Sequence, residues 1–542
     1  MYILGINGGV RPGYQDVSAC LVCNGEIVFA VEEERLNRVK FSPGQLPELA
    51  IYECLRFAKI DIRDIDAVAS HGSTWGTQYR NILESYFENT FGYCPPLHFV
   101  HHHDAHAASA YFGSGFDSAM ILSLDASGDG VSTQLSLGKN GKIETYKRFS
   151  RPNSLGIFYS IITQFCGFRR DSDEYKLMGM AAYGDASKFD FSDVLHCENG
   201  EFMLNEKYLK PIEPGASQPT RQEMAYSNEL TRLLGKKRLK TEALEQKHYD
   251  IAASAQHQLE TVVIDLVTHL HQQTGLRKIC LAGGVALNCL MNQKIMKLDC
   301  IDNIYVQPAA GDAGISAGAA MWVSAEKGIV PQAMPSALLG MEYSNIEIEK
   351  ALCDIQATYR HIADPAKTAA ELIAQHKVIG WFQGRLEFGP RALGARSILA
   401  NPAMPEVKKV LNEKIKYRES FRPFCPSVTE EDASRYFVGK AAKSPFMNIT
   451  FDVADEMKNA IAGVVHADGT ARIQTVDKNI QALYHNMLKQ LEVLSGHPVV
   501  VNTSFNTNNE PIAATPYDAV ATFYRSGIDA LIIGNYLLEK NT

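Results

Sequence analysis

Three times along this chain, an apolar run that reads as a strand ends in a glycine-rich turn. Residues 119–124 run into Asp125-Ala126-Ser127-Gly128-Asp129-Gly130. Residues 276–282 run into Gly283-Gly284-Val285-Ala286-Leu287-Asn288, and residues 304–306 into Pro308-Ala309-Ala310-Gly311-Asp312-Ala313-Gly314. Glycines at a strand end let backbone N–H groups approach an anion closely, and a carboxylate there can hold a cation against it. Where a helix follows, its free N–H groups add to the same pocket. A bare Gly-Gly pair says little, but three such turns in one domain restrict the fold to an α/β arrangement with a backbone-lined nucleotide site.

Just before the first of these turns lies His101-His102-His103-Asp104-Ala105-His106. The segment reads as a short helix, on which positions 102 and 106 share one face a turn apart. Two imidazoles so placed can bind one metal ion, although an isolated HxxxH is more often a satisfied or solvated pair. Finding it within thirty residues of a strand-end carboxylate, Asp125, favours a site. Asp312 is a second strand-end carboxylate, ahead of a helix of small residues, 316–320.

At 542 residues the chain exceeds one core, so two domains of unequal size are expected. No apolar run approaches the length of a bilayer span, and the N-terminus lacks a basic region followed by an apolar one. The reading is a soluble, cytoplasmic protein with no membrane partner. A net charge of −8 gives no global attraction for nucleic acid. The eleven cysteines are scattered, as in a reducing compartment, and the lone CxxC, Cys20 and Cys23, falls in a strand and reads as packing.

The chain opens strand, turn, strand, turn, strand, with Asn24-Gly25 as a hairpin signal. Actin and sugar-kinase domains begin this way. Glu32 to Lys40 is a dense charge run, readable equally as a solvated face or as one side of a cleft. Residues 46–60 and 248–273 read as helices, 154–168 as a buried helix, and 190–245 as polar and irregular. A linker near 331–350 separates a part of different character. There Gly389 to Ser397 is rich in glycine and arginine, and Lys414 to Pro423 carries four cations interleaved with aromatics. That run reads as a solvated helix end or an anion pocket. Arg472 sits in a turn, and the strand 498–501 leads to Asn502-Thr503-Ser504-Phe505-Asn506. No internal repeat is visible.

Ten segments, in order, resemble the O-carbamoyltransferases of antibiotic and nodulation-factor biosynthesis over nearly the whole chain. They are AVEEERLNRVK, HHDAHAASAY, SLGIFYS, EYKLMGMAAYG, LAGGVALN, GDAGISAGAA, GPRALGARSILA, KYRESFRPF, DGTARIQTV and NTSFN. The resemblance implies a two-domain α/β protein. Residues 1–350 would form an actin/sugar-kinase-like metalloprotein domain similar to the tRNA threonylcarbamoyl-transfer protein. Residues 351–542 would form a YrdC-like domain that makes a carbamoyl-adenylate.

Carried over by position, His102, His106, Asp125 and Asp312 match the family's metal ligands, an N₂O₂ set open to Fe(II), Zn(II) or Mn(II), with iron as the precedent. Gly128, Asp129, Gly130, Gly283, Gly284, Asn288 and Gly311 match the nucleotide turns of the first domain. Lys416, Arg418, Arg422, Arg472, Ser504 and Asn506 match the adenylate-forming site, which would take ATP with Mg²⁺ and carbamoyl phosphate. Lys40 matches a lysine on the acceptor side. Where relatives carry His-Asp, this chain has Gln15-Asp16. Glutamine cannot take a proton, so Asp16 or the metal must serve where the histidine would. The expected acceptor is a small-molecule alcohol: a sugar, aminoglycoside, macrolide or modified base. Nucleic acid is disfavoured, and homodimerisation is left open.

Three other functions compete. A kinase of the same fold class explains the phosphate turns but not the second domain or the paired histidines, since Mg²⁺ prefers oxygen ligands. A non-enzymatic nucleotide- or partner-binding protein would need no adenylate-forming loop. A relative acting on a protein thiol in hydrogenase maturation would carry zinc-finger cysteines, which are lacking here.

Overall fold

The computed structural model describes residues 1–10, 15–211, 223–440 and 443–540. It comprises two compact α/β units. One contains Met1–Ser70, Leu83–His98 and Met334–Thr542; the other contains His71–Ile82 and Phe99–Ala333. Among the described residues no helix is long and apolar enough to cross a membrane.

The chain's first sheet is formed by β1 (Tyr2–Asn7), β2 (Ser18–Cys23), β3 (Glu26–Glu32), β4 (Ala67–His71) and β5 (Leu97–Val100), in the order β3-β2-β1-β4-β5. β1, β2 and β3 form an antiparallel meander, and β4 joins β1 in parallel. The β2–β3 turn uses Asn24 and Gly25, both at positive φ, as that dipeptide predicts.

α1 (Glu33–Asn37) follows β3 directly, and Glu32 to Arg35 are buried rather than solvated. Each charge has a partner. Glu33 accepts from the N–H groups of Leu49 and Ala50, at the start of the helix Glu48–Ala58. Arg35 pairs with Glu32 and Glu34 and donates to Gly389 O at 2.9 Å, while Glu32 accepts from Gly389 N at 2.8 Å. The charge run therefore fastens the first strands to the C-terminal portion of the same unit.

That portion is built on an eight-stranded sheet. Its order is Arg360–His361, Tyr536–Glu539, Ala530–Ile533, Ile379–Phe382, Arg396–Ala400, Val499–Ser504, Cys425–Thr429 and Gln474–Val476. The helices Pro365–Ala374 and Ala482–Ser495 cover it, burying Ile373, Trp381, Leu488 and Leu491 in one core. Glu387 accepts from the N–H groups of Leu393, Ala395 and Arg396 and so fixes the glycine–arginine loop. Arg396 is fully buried and donates to the carbonyls of Gln383, Gly384 and Met341, which makes it a structural residue.

The second unit repeats the topology of the first sheet. α2 (His102–Ser114) precedes β6 (Ser118–Gly128), β7 (Val131–Lys139) and β8 (Lys142–Ser150), followed by β9 (Lys278–Ala282) and β10 (Asn303–Val306). The order β8-β7-β6-β9-β10 again joins an antiparallel meander to parallel strands. Sequence comparison shows no repeat because topology constrains only where apolar residues recur. Between β8 and β9 run the buried helix Leu155–Phe165 and the long helix Gln246–Thr274. The stretch read as irregular includes a hairpin, 195–204, and the helix Asn228–Leu234; residues 212–222 of it lie outside the described residues.

Candidate functional site

The second unit gathers two histidines and two aspartates. Asp129 Oδ2 accepts from His102 N at 2.9 Å and fixes the start of α2, from which His102 and His106 project with ring centroids 4.8 Å apart. β6 delivers Asp125. Asp312 precedes α3 (Ala313–Glu326), which packs closely on α2 because Gly318 leaves the space that a Cβ would share with Ala105 O. Gly128 likewise leaves room for the His102 ring.

His102 Nε2 lies 3.1 Å from Asp125 Oδ2 and 3.8 Å from Asp312 Oδ1. His106 Nε2 lies 3.7 and 3.5 Å from the same two oxygens. The four ligand atoms lie within 4.8 Å of one another. His106 is completely buried, and neither ring nitrogen has a hydrogen-bond partner. Burial alone would lower its pKa, but Asp125 and Asp312 push it up to about 9. Burial raises the Asp125 carboxyl, and His102 and His106 override this and hold it well below its usual range. Buried polar atoms without partners are rare. Two imidazoles and two carboxylates converging on one point fit a divalent transition metal.

The glycine turns read from the sequence as nucleotide-binding lie in the same unit. Gly283 has φ +87, and a Cβ there would collide with the backbone of Leu124; Gly284 would bring one within 3.2 Å of Asp125 Oδ1. The Gly283-Gly284 turn is thus pressed against the strand end that carries Asp125. Gly311 closes a turn by accepting from Gly314 N, and Asp129 and Gly130 both take positive φ. Asn288 caps the helix Cys289–Lys297 and exchanges hydrogen bonds with Gln256. Gln256 also donates to Glu260 and accepts from Tyr159. Nothing in the sequence marks Gln256 or Glu260, since a polar residue on a long helix reads as solvated, and Tyr159 reads as one more residue of a buried helix.

In the other unit, Lys416 ends a π-helical stretch, Val410–Lys416, and Tyr417 follows at positive φ. Its amine is buried and donates to Ser504 O, Ser504 Oγ (3.2 Å), Asn506 O (2.9 Å) and Asn506 Oδ1 (2.7 Å). Burial, then Arg418 and Arg422, hold its pKa well below the usual lysine range. Arg418 is braced by Asn412 at 2.7 Å and stacks over Phe424. Arg422 lies 3.8 Å from Glu419. Arg472 lies in a strand, Thr470–Arg472, rather than a turn, and its Nε donates to Cys425 Sγ at 3.1 Å.

Gln15, Asp16 and Lys40 belong to this same unit. Asn7 Nδ2 donates to the carbonyls of Gln15 and Asp16, and Asp16 N donates to Phe41 O at 3.0 Å. That bond ties the Gln15-Asp16 loop to the segment carrying Lys40. Lys40 Nζ lies 2.7 Å from Glu34 Oε1. Burial raises the Glu34 carboxyl, but Arg35 and Lys40 bring it below its ordinary value.

Fold and sites define an α/β protein of two units, one with a convergent imidazole–carboxylate set and one in which Lys416, Arg418 and Arg422 are gathered. The chain belongs to the carbamoyltransferase family: a model of the carbamoyltransferase N-terminus matches residues 79–321 and one of the C-terminus matches 370–540. It is 36% identical to nodulation protein NolNO of Sinorhizobium fredii, over 100% of this chain and 83% of that protein. It is 36% identical to nodulation protein NolO of Bradyrhizobium diazoefficiens, over 81% of this chain and 79% of that one. An uncharacterized Synechocystis protein is 36% identical over 98% of this chain and 96% of its own. Among solved structures, full-length HypF in its phosphate- and nucleotide-bound form gives a TM-score of 0.33 at 17% identity, covering 60% of this chain and 55% of that one. The enzyme is a carbamoyltransferase.

Proposed function

We propose that the protein is an ATP-dependent O-carbamoyltransferase that makes carbamoyl-adenylate in a YrdC-like C-terminal portion. Its transfer domain would be of the actin/sugar-kinase class. The observation that carries this reading is the buried His106, without a hydrogen bond and facing Asp125 and Asp312 at 3.7 and 3.5 Å, in a chain that also gathers Lys416, Arg418 and Arg422.

A carbamoyl group is a poor electrophile because nitrogen donates into its carbonyl, and a mixed anhydride with AMP supplies a good leaving group. Water releases carbamate and phosphate from carbamoyl phosphate. A carbamate oxygen then attacks the α-phosphorus of Mg²⁺-bound ATP and expels pyrophosphate. Arg418, Arg422 and Arg472 would neutralise the charge on the triphosphate and leaving group, while Lys416, held by Ser504 and Asn506, would shape the site beside them.

In the second half-reaction an acceptor hydroxyl attacks the carbamoyl carbon and AMP departs with the bonding pair. Lys40 offers a cation for the developing negative charge, Gln15 an amide to orient a hydroxyl, and Asp16 a carboxylate for its proton. His102, His106, Asp125 and Asp312 would hold the metal, iron by family precedent with zinc or manganese as alternatives. When bound, it supplies Lewis acidity toward phosphate or carbonyl oxygen. The turns at Gly128, Gly130, Gly283, Gly284 and Gly311 offer backbone N–H groups to the nucleotide.

Relatives named for nodulation support a small-molecule alcohol as acceptor. The test is mass spectrometry of candidate alcohols incubated with enzyme, ATP and ¹³C-carbamoyl phosphate. A labelled carbamoyl ester is expected, and label appearing solely in carbamate would contradict the proposal.

A further inference from the structure

Two arginines of the charge run after β3 reach loops in the C-terminal portion of their own unit. Arg35 donates to Gly389 O at 2.9 Å, and Glu32 beside it accepts from Gly389 N at 2.8 Å. Arg38 follows α1, and its side chain is 29% exposed. It donates through Nη1 to Ile512 O at 2.6 Å and through Nη2 to Pro511 O at 2.9 Å, and its Nε lies 3.3 Å from Asp518 Oδ1. Both loops adjoin the residues proposed above for adenylate formation. In the first, Ala392 O accepts from Asn502, on the strand that ends in Ser504, and Leu393 O accepts from Gln474, just past Arg472. In the second, Asn506 donates to Glu510 O at 2.6 Å, immediately before Pro511.

Each loop is also closed by bonds of its own. Glu387 accepts three N–H groups within the first, and Glu510 accepts from Asn506 and from Thr507 N within the second. What the two arginines add is attachment to the segment that carries Lys40. Glu34 is the junction. Its Oε1 takes both Lys40 Nζ, at 2.7 Å, and Arg35, while its Oε2 takes Phe41 N at 2.6 Å. Phe41 O in turn accepts from Asp16 N at 3.0 Å. One short run therefore binds both loops to Lys40 and to the Gln15-Asp16 loop.

We propose that Arg35 and Arg38 are positioning residues that couple the two half-reactions, so that nucleotide held between the two loops also steadies Lys40 and the Gln15-Asp16 loop. This rests on the carbamoyl-adenylate reading above. A ligand stabilises the segments it binds, and hydrogen-bonded contacts carry that stabilisation to whatever they hold. A forked guanidinium on two successive carbonyls passes on position as well as attraction, which a single ammonium does not. Neither arginine touches the reacting atoms in this account.

The test is amide hydrogen exchange of the full-length enzyme with and without α,β-methylene-ATP and Mg²⁺, read by mass spectrometry of peptides. Carbamoyl-phosphate-dependent pyrophosphate release from ATP is measured alongside. In the wild type the analogue should slow exchange in both loops and, by about fivefold or more, in Glu32–Phe41. Arg38→Ala, at a partly exposed position, should keep the protection of the loops and pyrophosphate release while protection of Glu32–Phe41 drops below about twofold. Arg38→Lys should fall between. A role in stability alone would speed exchange with and without the analogue by the same factor, and that result would overturn the proposal. So would wild-type protection confined to the loops, or undiminished protection of Glu32–Phe41 in Arg38→Ala. A wild type that releases pyrophosphate while failing these tests leaves the adenylate reading standing. A wild type with neither loop protection nor pyrophosphate release sinks that reading, and the coupling with it.

Discussion

Replacing His106 by alanine should separate metal binding from the stability of the fold. His106 is one of four donors and is completely buried. Removing a group that merely supports a ligand costs about 10–100-fold in metal affinity, so losing a ligand should cost at least the upper end. At a free metal concentration of 100 times the wild-type Kd, binding stabilises the native state by about 2.7 kcal/mol. A 100-fold weaker site at the same concentration gains about 0.4 kcal/mol, a difference of about 2.3 kcal/mol. In a unit of this size that is about 5–9 °C of metal-induced Tm. The assay is differential scanning calorimetry with and without Fe(II) or Zn(II), plus elemental analysis after dialysis. The metal-induced increment is compared, because the metal-free variant also loses the charge that faces Asp125 and Asp312. An unchanged increment with full metal content would refute the ligand assignment.

Arg422→Ala should cut ATP-dependent pyrophosphate release about 10²–10³-fold, as expected for removing one donor to developing charge, while transfer from supplied carbamoyl-adenylate persists; unchanged release would count against the pocket. Gln15→Ala should lose about 10–100-fold in transfer, or about 1.4–2.7 kcal/mol, with adenylate formation intact. Gln15→His should be tolerated without a large gain, and a large rise in transfer rate would restore a general-base role at that position. Gly283→Ala puts a side chain at φ +87 against the Leu124 backbone, so chemical denaturation should show a loss of about 3 kcal/mol or more. A change under about 1 kcal/mol would contradict the close approach of the two turns.

The local parts of this architecture were legible because their geometry is short-range. Four-residue spacing puts His102 and His106 on one face whatever the tertiary fold, and Asn24-Gly25 makes a hairpin from its own φ preferences. Strand ends followed by glycines located Asp125 and the Gly283 turn. Long-range closure was not legible. The run from Glu32 to Arg35 reads equally as a solvated face or as one side of a cleft because its partner, Gly389, lies more than three hundred residues away. Arg396, in a loop that reads only as rich in glycine and arginine, spends its donors on backbone carbonyls. Lys416 and Asn506 were found by resemblance, while the four bonds that bury the amine depend on how the strand Val499–Ser504 meets the π-helical stretch. The doubled sheet topology leaves no residue-level repeat to find.

The central claim is that ATP is cleaved to activate a carbamoyl group. The direct measurement is the nucleotide product formed with ¹⁴C-carbamoyl phosphate in a single turnover. The account predicts AMP and pyrophosphate, one of each per carbamoyl group transferred, with label passing through an adenylate before reaching the alcohol. Formation of ADP, or transfer of label without ATP, would contradict it.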